Sequence, residues 1–321
     1  MSPRKKTTSS RSSRAAEQRP IVIAGISGNF GRLLARRLHS DVPLVGIDKR
    51  PFKGKPKDVV HYQVDARRRR AENIFRHHRV RALVHLGLVH RPQPGRPLYR
   101  EMNVAGTIKL LEYCRRHGVP KVVLVSTAAV YGPGPTHSNF LTEDTPLAGV
   151  ADYPELQALI EWDMYAQSFF WKHPQIETVI LRPAHVVGPH VRNAPTNYLR
   201  LQHPLTLLGF DPMIQLVHEE DLIQSILLAL EPGIRGIFNI DGPGEVPLSA
   251  VLKELGRRPV PVLQPLAKAL VRRLWNMGIG KFPPGELVHL QFQCMVDGSL
   301  ARRVLGYRPR YTLRQTIRSV L

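Results

Sequence analysis

Cysteine is scarce: 321 residues contain only Cys114 and Cys294. Two thiols exclude a disulfide framework and fit a reducing compartment, so the cytoplasm is the expected location. No apolar run approaches the roughly 20 residues that span a membrane. The N-terminus lacks the apolar region of a secretory signal. There is no His-Glu-x-x-His and no pair of Cys-x-x-Cys motifs, and the 14 histidines show no ligand spacing. No metal site is therefore expected. Gly25-Ile26-Ser27-Gly28 is not the Gly-x-Ser-x-Gly nucleophile elbow. Acidic residues are also few: 25 against 46 Lys and Arg, a formal net charge of +21. The first 20 residues supply +5 of it, which leaves +16 for the rest. Such a charge favours polyanions, whether nucleotide substrates, nucleic acid or an anionic membrane surface. Arg67-Arg68-Arg69-Arg70 and His77-His78 are not interleaved with aromatics that stack on bases. A solvated helix face is the plainer reading there, and no specific nucleic-acid site is expected.

What is present is organised around one stretch, Ile21-Val22-Ile23-Ala24-Gly25-Ile26-Ser27-Gly28-Asn29-Phe30-Gly31. Four apolar residues precede glycines at 25, 28 and 31. Phe30, Leu33, Leu34 and Leu38 then recur at helical spacing. The pattern predicts a buried strand, a glycine turn and an amphipathic helix. A helix N-terminus so built presents backbone N–H groups to a pyrophosphate. A second apolar run, Pro43 to Ile47, ends in Asp48. An acid about 20 residues past the glycines is placed to accept hydrogen bonds from an adenosine ribose. Asp48 favours NAD over NADP, because a carboxylate repels a 2′-phosphate, whereas Lys49 and Arg50 beside it pull the other way.

Strand and helix patterns then alternate. Strands are expected at Val59 to Val64, Ala82 to Leu86, Lys121 to Ser126 and Glu177 to Leu181. Helices are expected at Asn103 to Arg116 and Glu155 to Phe170. This predicts an α/β fold: a doubly wound parallel sheet of the Rossmann type, with ligands beyond the carboxyl ends of its strands. Residues 1–20 read as a disordered basic tail. Residues 21–190 read as the dinucleotide-binding domain, with later returns near 216–240. Residues 191–321 read mainly as a smaller substrate-binding lobe. Within it, Leu263, Leu266, Leu270, Leu274 and Trp275 lie among Lys268, Arg272 and Arg273. A basic amphipathic helix of this kind can rest on an anionic membrane, although packing against the lobe is the commoner fate.

By the fifth strand the chain resembles the extended short-chain dehydrogenases/reductases, specifically the NAD-dependent epimerase/dehydratase family typified by UDP-galactose 4-epimerase. The resemblance covers nearly everything after residue 20. Its marks are Gly25-x-x-Gly28-x-x-Gly31, Asp48, Asp65, His85-Leu86-Gly87, Asn103-Val104-Ala105-Gly106-Thr107 and Ser126-Thr127-Ala128-Ala129-Val130-Tyr131-Gly132. Later marks are Leu181-Arg182-Pro183, His218-Glu219-Glu220-Asp221-Leu222 and Leu305-Gly306-Tyr307-Arg308-Pro309. The resemblance implies NAD contacts from Gly25, Ser27, Gly28, Asn29, Phe30, Gly31, Asp48, Asp65, Ala66, Leu86, Gly87, Asn103, Ser126, Tyr153, Gln157 and Pro183. It implies a catalytic set of Thr127, Tyr153 and the residue four after that tyrosine, a lysine in the family and Gln157 here. It also implies a nucleotide-sugar substrate and a homodimer through the helices at 103–116 and 155–170.

Two departures bear on chemistry. Gln157 retains hydrogen bonding to a ribose but carries no charge to stabilise a tyrosinate. The asparagine that family members place after the sixth strand is His185, and an arginine position before His218 is Ile214. His185 and Asn197 are the candidate substrate contacts. Asn193, Arg200, Arg192 and Arg235 are further polar groups without an assigned place. Three functions remain open: an NAD-dependent epimerase or dehydratase acting on a nucleotide sugar or related hydroxyl compound, a non-catalytic NAD(P)-binding sensor or scaffold, and a membrane-peripheral or polyanion-binding protein that uses the basic surface. The first two are also compatible with a membrane-peripheral position.

Overall fold

Ile21–Ala24 forms β1, and its side chains alternate between two cores. Ile21 and Ile23 enter one cluster with Leu34 and Ala35. Val22 and Ala24 enter the other with Ala71, Ile74 and Phe75. Period-2 alternation with both faces apolar requires helices above and below the sheet. The computed structural model describes residues 19–87, 101–134, 139–148, 154–278 and 282–321. The basic residues of 1–18, His90 and Tyr153 lie outside them.

β2 is Leu44–Asp48, β3 Val60–Gln63, β4 Ala82–His85, β5 Lys121–Val125 and β6 Glu177–Pro183. β10, Gly236–Ile240, returns to the same sheet. The strand order is β10-β6-β5-β4-β1-β2-β3, and every pairing is parallel. This is a doubly wound Rossmann-type sheet. Order reverses between β1 and β4, where a crevice opens at the carboxyl ends. β3 is the edge strand, and its residues are mostly exposed rather than buried on both faces.

α1, Asn29–Leu38, packs beside α6, Glu219–Ala229, on one face. The other face carries α2, Arg69–His77, α3, Gly106–Arg116, and α4, Pro154–Lys172. The helix expected from Asn103 begins later, because Glu101–Ala105 winds as a wider π turn before α3. In α2, Ala71, Ile74 and Phe75 face the sheet while Arg69 and Arg70 are exposed.

β6 runs almost directly into β7, His185–Val187. β7 pairs parallel with β9, Met213–His218, and β9 pairs antiparallel with β11, Glu245–Pro247. A two-stranded pair joins β8, Leu205–Leu207, to β12, Val260–Val262. Around these lie α5 (Ala194–Leu199), α7 (Leu248–Glu254), α8 (Gln264–Asn276) and α10 (Leu313–Arg318). α9, Ser299–Val304, packs on β10. A third core holds Tyr198, Leu199, Leu248, Val251, Leu252, Ala267, Val271 and Ile317. It builds the second lobe above the crevice.

Candidate active site

The turn after β1 is shaped by glycine. Gly25 has φ +87°, and a Cβ there would lie 2.6 Å from Gly87 Cα at the end of β4. A Cβ on Gly31 would stand 2.4 Å from the Gly25 carbonyl oxygen and 2.6 Å from Ile26 Cα. Two strand ends and a helix start therefore meet with no room for side chains. Gly28 caps α1 in extended conformation, with no side chain on the first N–H groups and no acid in the first turn. Those donors and the helix dipole face the crevice, and basic Arg36 and Arg37 sit at the far end, as the dipole favours.

The crevice has a volume of about 680 Å³. Its walls include Gly25, Ser27, Gly28, Asn29, Phe30, Gly31, Asp48, Asp65, Ala66, Leu86, Gly87, Ser126, Thr127, Pro183 and His185. Asp48 is buried at the tip of β2. Its carboxylate accepts the Ser27 N–H at 3.2 Å, the Arg50 N–H at 2.9 Å and two guanidinium bonds from Arg50 at 3.1 and 3.0 Å. These bonds hold Arg50 above its ordinary pKa despite the cost of burial. Asp65 is bound in the same way by Arg67, which keeps its carboxyl below the usual range. The space, the donors at α1 and the carboxylate at β2 fit a dinucleotide. The α1 start would hold its pyrophosphate, Asp48 its adenosine ribose and Asp65 with Ala66 its base.

Beneath the crevice His85 is fully enclosed. The Gly87 N–H donates to its Nδ1 at 3.2 Å, which leaves the proton on Nε2. Nε2–H donates to Thr107 Oγ1 at 2.7 Å, and Trp162 Nε1–H donates to the same oxygen. Thr107 passes its own proton to the Asn103 carbonyl at 2.7 Å. Asn103 thus sits buried under α3 and does not line the crevice. Burial pushes His85 down to about 4 from 6.5, and the same cause brings His218 to about 4. Both are neutral in the fold, whereas an unfolded histidine gains a proton below 6.5. Stability is thus fully present above pH 6.5 and falls as pH drops from 6.5 through 4. At about 1.4 kcal/mol per unit the loss is roughly 2–3 kcal/mol for each histidine. Urea midpoints measured between pH 7.5 and 4.5 should decline across that window. The His85→Gln protein should show a shallower slope.

The far end of the crevice is held by a buried ionic knot. Arg182 donates to both oxygens of Asp163 at 3.1 and 2.6 Å, to Tyr131 Oη at 2.9 Å and to the Glu143 carbonyl. Ser126 Oγ donates to Asp163 at 2.6 Å, and Tyr131 Oη donates to Asn239 at 2.7 Å. Burial opposes the Arg182 charge, but Asp163 outweighs it and Arg182 lies above its ordinary pKa. Burial pushes the Tyr131 hydroxyl up to about 12, so it acts as a structural donor. The hydroxyl of Ser126 belongs to this knot. Thr127 caps the turn Ala128–Tyr131, where its Oγ1 accepts the Ala129 N–H at 3.2 Å. Thr127 also lines the crevice. Leu156 and Leu159 of α4 also line the crevice, and Gln157 between them is exposed.

On the second-lobe side His185 meets two residues not anticipated from sequence, His289 and Glu286. The His185 and His289 rings stand edge to face with centroids 5.5 Å apart. Burial holds each at about 4, with their mutual repulsion a smaller cause for His185. The spacing of Glu286 and His289, three apart after Pro283-Pro284, was the available signal. These three also border an apolar alcove of about 40 Å³ walled by Pro195, Tyr198, Leu199, Ile214, Leu216, Leu248, Phe282 and Leu290. Asn197 lies outside the crevice wall, whereas Asn193 lines it and caps α5 through the Thr196 N–H. Arg200 is consumed by the carbonyls of Val320, Val191, Gly188 and Pro189. Arg192 lines the crevice while donating to Pro189 and Val191. Arg235 lies elsewhere, against the Phe170 ring and carbonyl.

The fold has known counterparts. The chain aligns over 94% of its length with the UDP-glucose 4-epimerase of Thermotoga maritima, solved with UDP-glucose (TM-score 0.71, 19% identity, 97% of that chain). It aligns over 94% with the dTDP-glucose 4,6-dehydratase of Bacillus anthracis, solved with NAD (TM-score 0.71, 18% identity, 95% of that chain). At these identities the likeness is one of fold. An uncharacterized protein of Mycobacterium tuberculosis is 29% identical over 219 residues, 68% of this chain and 58% of that one. The Vibrio cholerae UDP-glucose 4-epimerase is 27% identical over 235 residues, 68% of this chain and 67% of that one. The chain thus spans 58% of the length of the first of these relatives. No described helix is long and apolar enough to cross a membrane. The model of the NAD dependent epimerase/dehydratase family matches residues 21–241, two thirds of the chain, and the protein belongs to that family, whose cofactor is NAD.

Proposed function

We propose that the protein is an enzyme that uses NAD to oxidise and re-reduce a hydroxyl-bearing carbon of a nucleotide sugar or a related hydroxyl compound. The observation that carries this reading is one continuous crevice from the Gly25–Gly31 turn to Thr127 and His185. NAD, when bound, supplies a reversible hydride acceptor. The substrate alcohol loses a hydride from carbon and a proton from oxygen to give a ketone. Thr127 donates its hydroxyl proton as a hydrogen bond to that oxygen, and Tyr153 takes the alcohol proton. Return of the proton to oxygen and of the hydride to the opposite face of the carbonyl carbon would complete an epimerisation. His185 and His289, both neutral, are hydrogen-bonding groups for the substrate's remaining hydroxyls. The same reading includes a homodimer through α3 and α4, on the second of which Met164 and Trp171 are exposed seven residues apart on one helix face.

Gln157 sets the rate. A tyrosine of ordinary pKa near 10 is phenolate in only about one molecule in a thousand at pH 7. A lysine cation in place of the amide stabilises that phenolate. Gln157→Lys is therefore expected to raise kcat/KM at pH 7 by roughly tenfold or more. Tyr153→Phe should abolish turnover on a panel of sugar nucleotides. Failure of both variants to change turnover, with NAD binding intact, would favour the sensor or scaffold reading that the loss of the family lysine also suggests.

A further inference from the structure

Asp48 is placed to accept an adenosine ribose, yet its carboxylate has no acceptor capacity to spare. A carboxylate offers about four lone-pair sites on its two oxygens. Oδ1 takes the Arg50 N–H at 2.9 Å and Arg50 Nε at 3.1 Å. Oδ2 takes the Ser27 N–H at 3.2 Å and Arg50 Nη2 at 3.0 Å. Ser27 Oγ donates to the Arg50 carbonyl at 3.0 Å, which pins the backbone of that residue beside the glycine turn. The Arg50 side chain, 58% exposed, reaches back over the turn. Its Nη2 lies 3.5 Å from where a Cβ on Gly28 would stand. The guanidinium thus lies between Asp48 and Gly28, the two groups that would hold the ribose and the pyrophosphate of a dinucleotide.

Positive charge collects at this end of the crevice. Arg32, Lys49, Arg50 and Arg67 line it together with Asp48 and Asp65, four cations against two carboxylates. The ribose of NAD brings no charge, and its hydroxyls must take their bonds on Asp48 away from a charge-assisted fork. A 2′-phosphate brings about −1.5 to −2 at pH 7, which answers the surplus of two cations. Its oxygens also accept a planar guanidinium two at a time. Asp48 opposes that phosphate, but it keeps the backbone N–H bonds of Ser27 and Arg50 when the Arg50 side chain leaves.

We infer that Arg50 turns from Asp48 to the 2′-phosphate of NADP, so that the crevice takes NADP as well as NAD and Arg50 sets the ratio between them. The inference concerns the adenosine end alone and does not depend on the substrate proposed above. With NAD bound, the fork yields its two bonds to the ribose and the guanidinium returns to solvent. That exchange weakens NAD, so loss of the Arg50 side chain helps NAD and harms NADP. An arginine that merely oriented Asp48 for the ribose would have the opposite effect on NAD.

The test is calorimetric titration of the full-length protein with NAD and with NADP, each without substrate. The expected result is binding of both, with dissociation constants within about tenfold of each other. Arg50→Ala should weaken NADP roughly tenfold to a hundredfold, the range of a lost hydrogen bond to a charged group, and leave NAD as tight as before or tighter. Retained NAD binding by the variant reports an intact fold. Arg50→Gln, which keeps a neutral donor beside Asp48, should show the same split and serves if the alanine protein does not fold. The inference is overturned if wild type holds NADP more than about tenfold more weakly than NAD, or not at all. It is equally overturned if a folded Arg50 variant keeps the NADP affinity of wild type. A folded variant that loses NAD as steeply as NADP overturns it too, and assigns Arg50 to positioning Asp48 for the ribose.

Discussion

Asp163→Asn should remove about 3–5 kcal/mol of folding stability, the largest loss expected from any single polar substitution in the described fold. Arg182 and Asp163 are 1% and 0% exposed. The carboxylate accepts from Arg182, Ser126 and Gln167, and the amide replaces one charged oxygen with a donor pointed at other donors. The guanidinium then stays buried without its carboxylate partner, left with the Tyr131 hydroxyl and the Glu143 carbonyl as acceptors. Whole domains are stable by only about 5–15 kcal/mol, so the urea midpoint should fall by roughly a fifth or more. Glu254→Gln is the matching control. It breaks the exposed contacts of Arg314 and Arg318, pairs of the kind worth about 0–1 kcal/mol. Equal midpoints for the two variants would show that the knot contributes no more than a surface pair.

Gly31→Ala should abolish NAD binding while leaving a folded protein. The added methyl would overlap the Gly25 carbonyl oxygen and Ile26 Cα, both backbone atoms that cannot rotate away. Relief requires α1 to retreat from β1, which moves the N–H groups at Gly28 and Asn29 off the site of the pyrophosphate. Preorganised donors at a helix start lose their value quickly with displacement. A drop in affinity of a hundredfold or more by calorimetry is expected, with a melting temperature lowered by only a few degrees. Retained affinity would mean that the glycine turn is not where the cofactor binds.

The parts of this structure written in local pattern were readable. Four consecutive apolar residues before spaced glycines specify a doubly covered strand and a close turn, and β1, Gly25 and α1 are where that pattern puts them. Asp48 at the end of the second apolar run lies on the crevice for the same reason. Contacts made across long stretches of chain leave no such trace. Arg182 could be recognised in Leu181-Arg182-Pro183, but nothing near it names Asp163 on α4 or Asn239 on β10 as its company. Ser126 reads as a cofactor contact and lines the crevice, but that its hydroxyl also closes the knot is not written near it in the chain. Arg200 looked available to a substrate, and its guanidinium is taken up by backbone carbonyls of the loop after β7. His185 and Ile214 were each legible as departures from the family pattern. That both border one alcove, with His289 and Glu286 arriving from a hundred residues downstream, is a product of tertiary folding. α8 shows the same limit, with Ala267 and Val271 buried against the second-lobe core and Leu263, Leu266 and Leu270 exposed. Helical spacing reveals that a face is apolar, but only packing decides how much of it is covered.

β10 sits at the sheet edge beside β6, yet it is made more than fifty residues later. By residue 183 a growing chain has all six other strands of the large sheet, together with Arg182, Asp163 and Tyr131. It still lacks Asn239, which accepts a hydrogen bond from the Tyr131 hydroxyl and donates to the Leu141 carbonyl. Vectorial synthesis from the ribosome therefore delivers the charged centre of the sheet before its last polar partner. The intervening second lobe must emerge before β10 can seal that edge. Until Gly236–Ile240 is made, the β6 flank of the sheet has no strand to pair with.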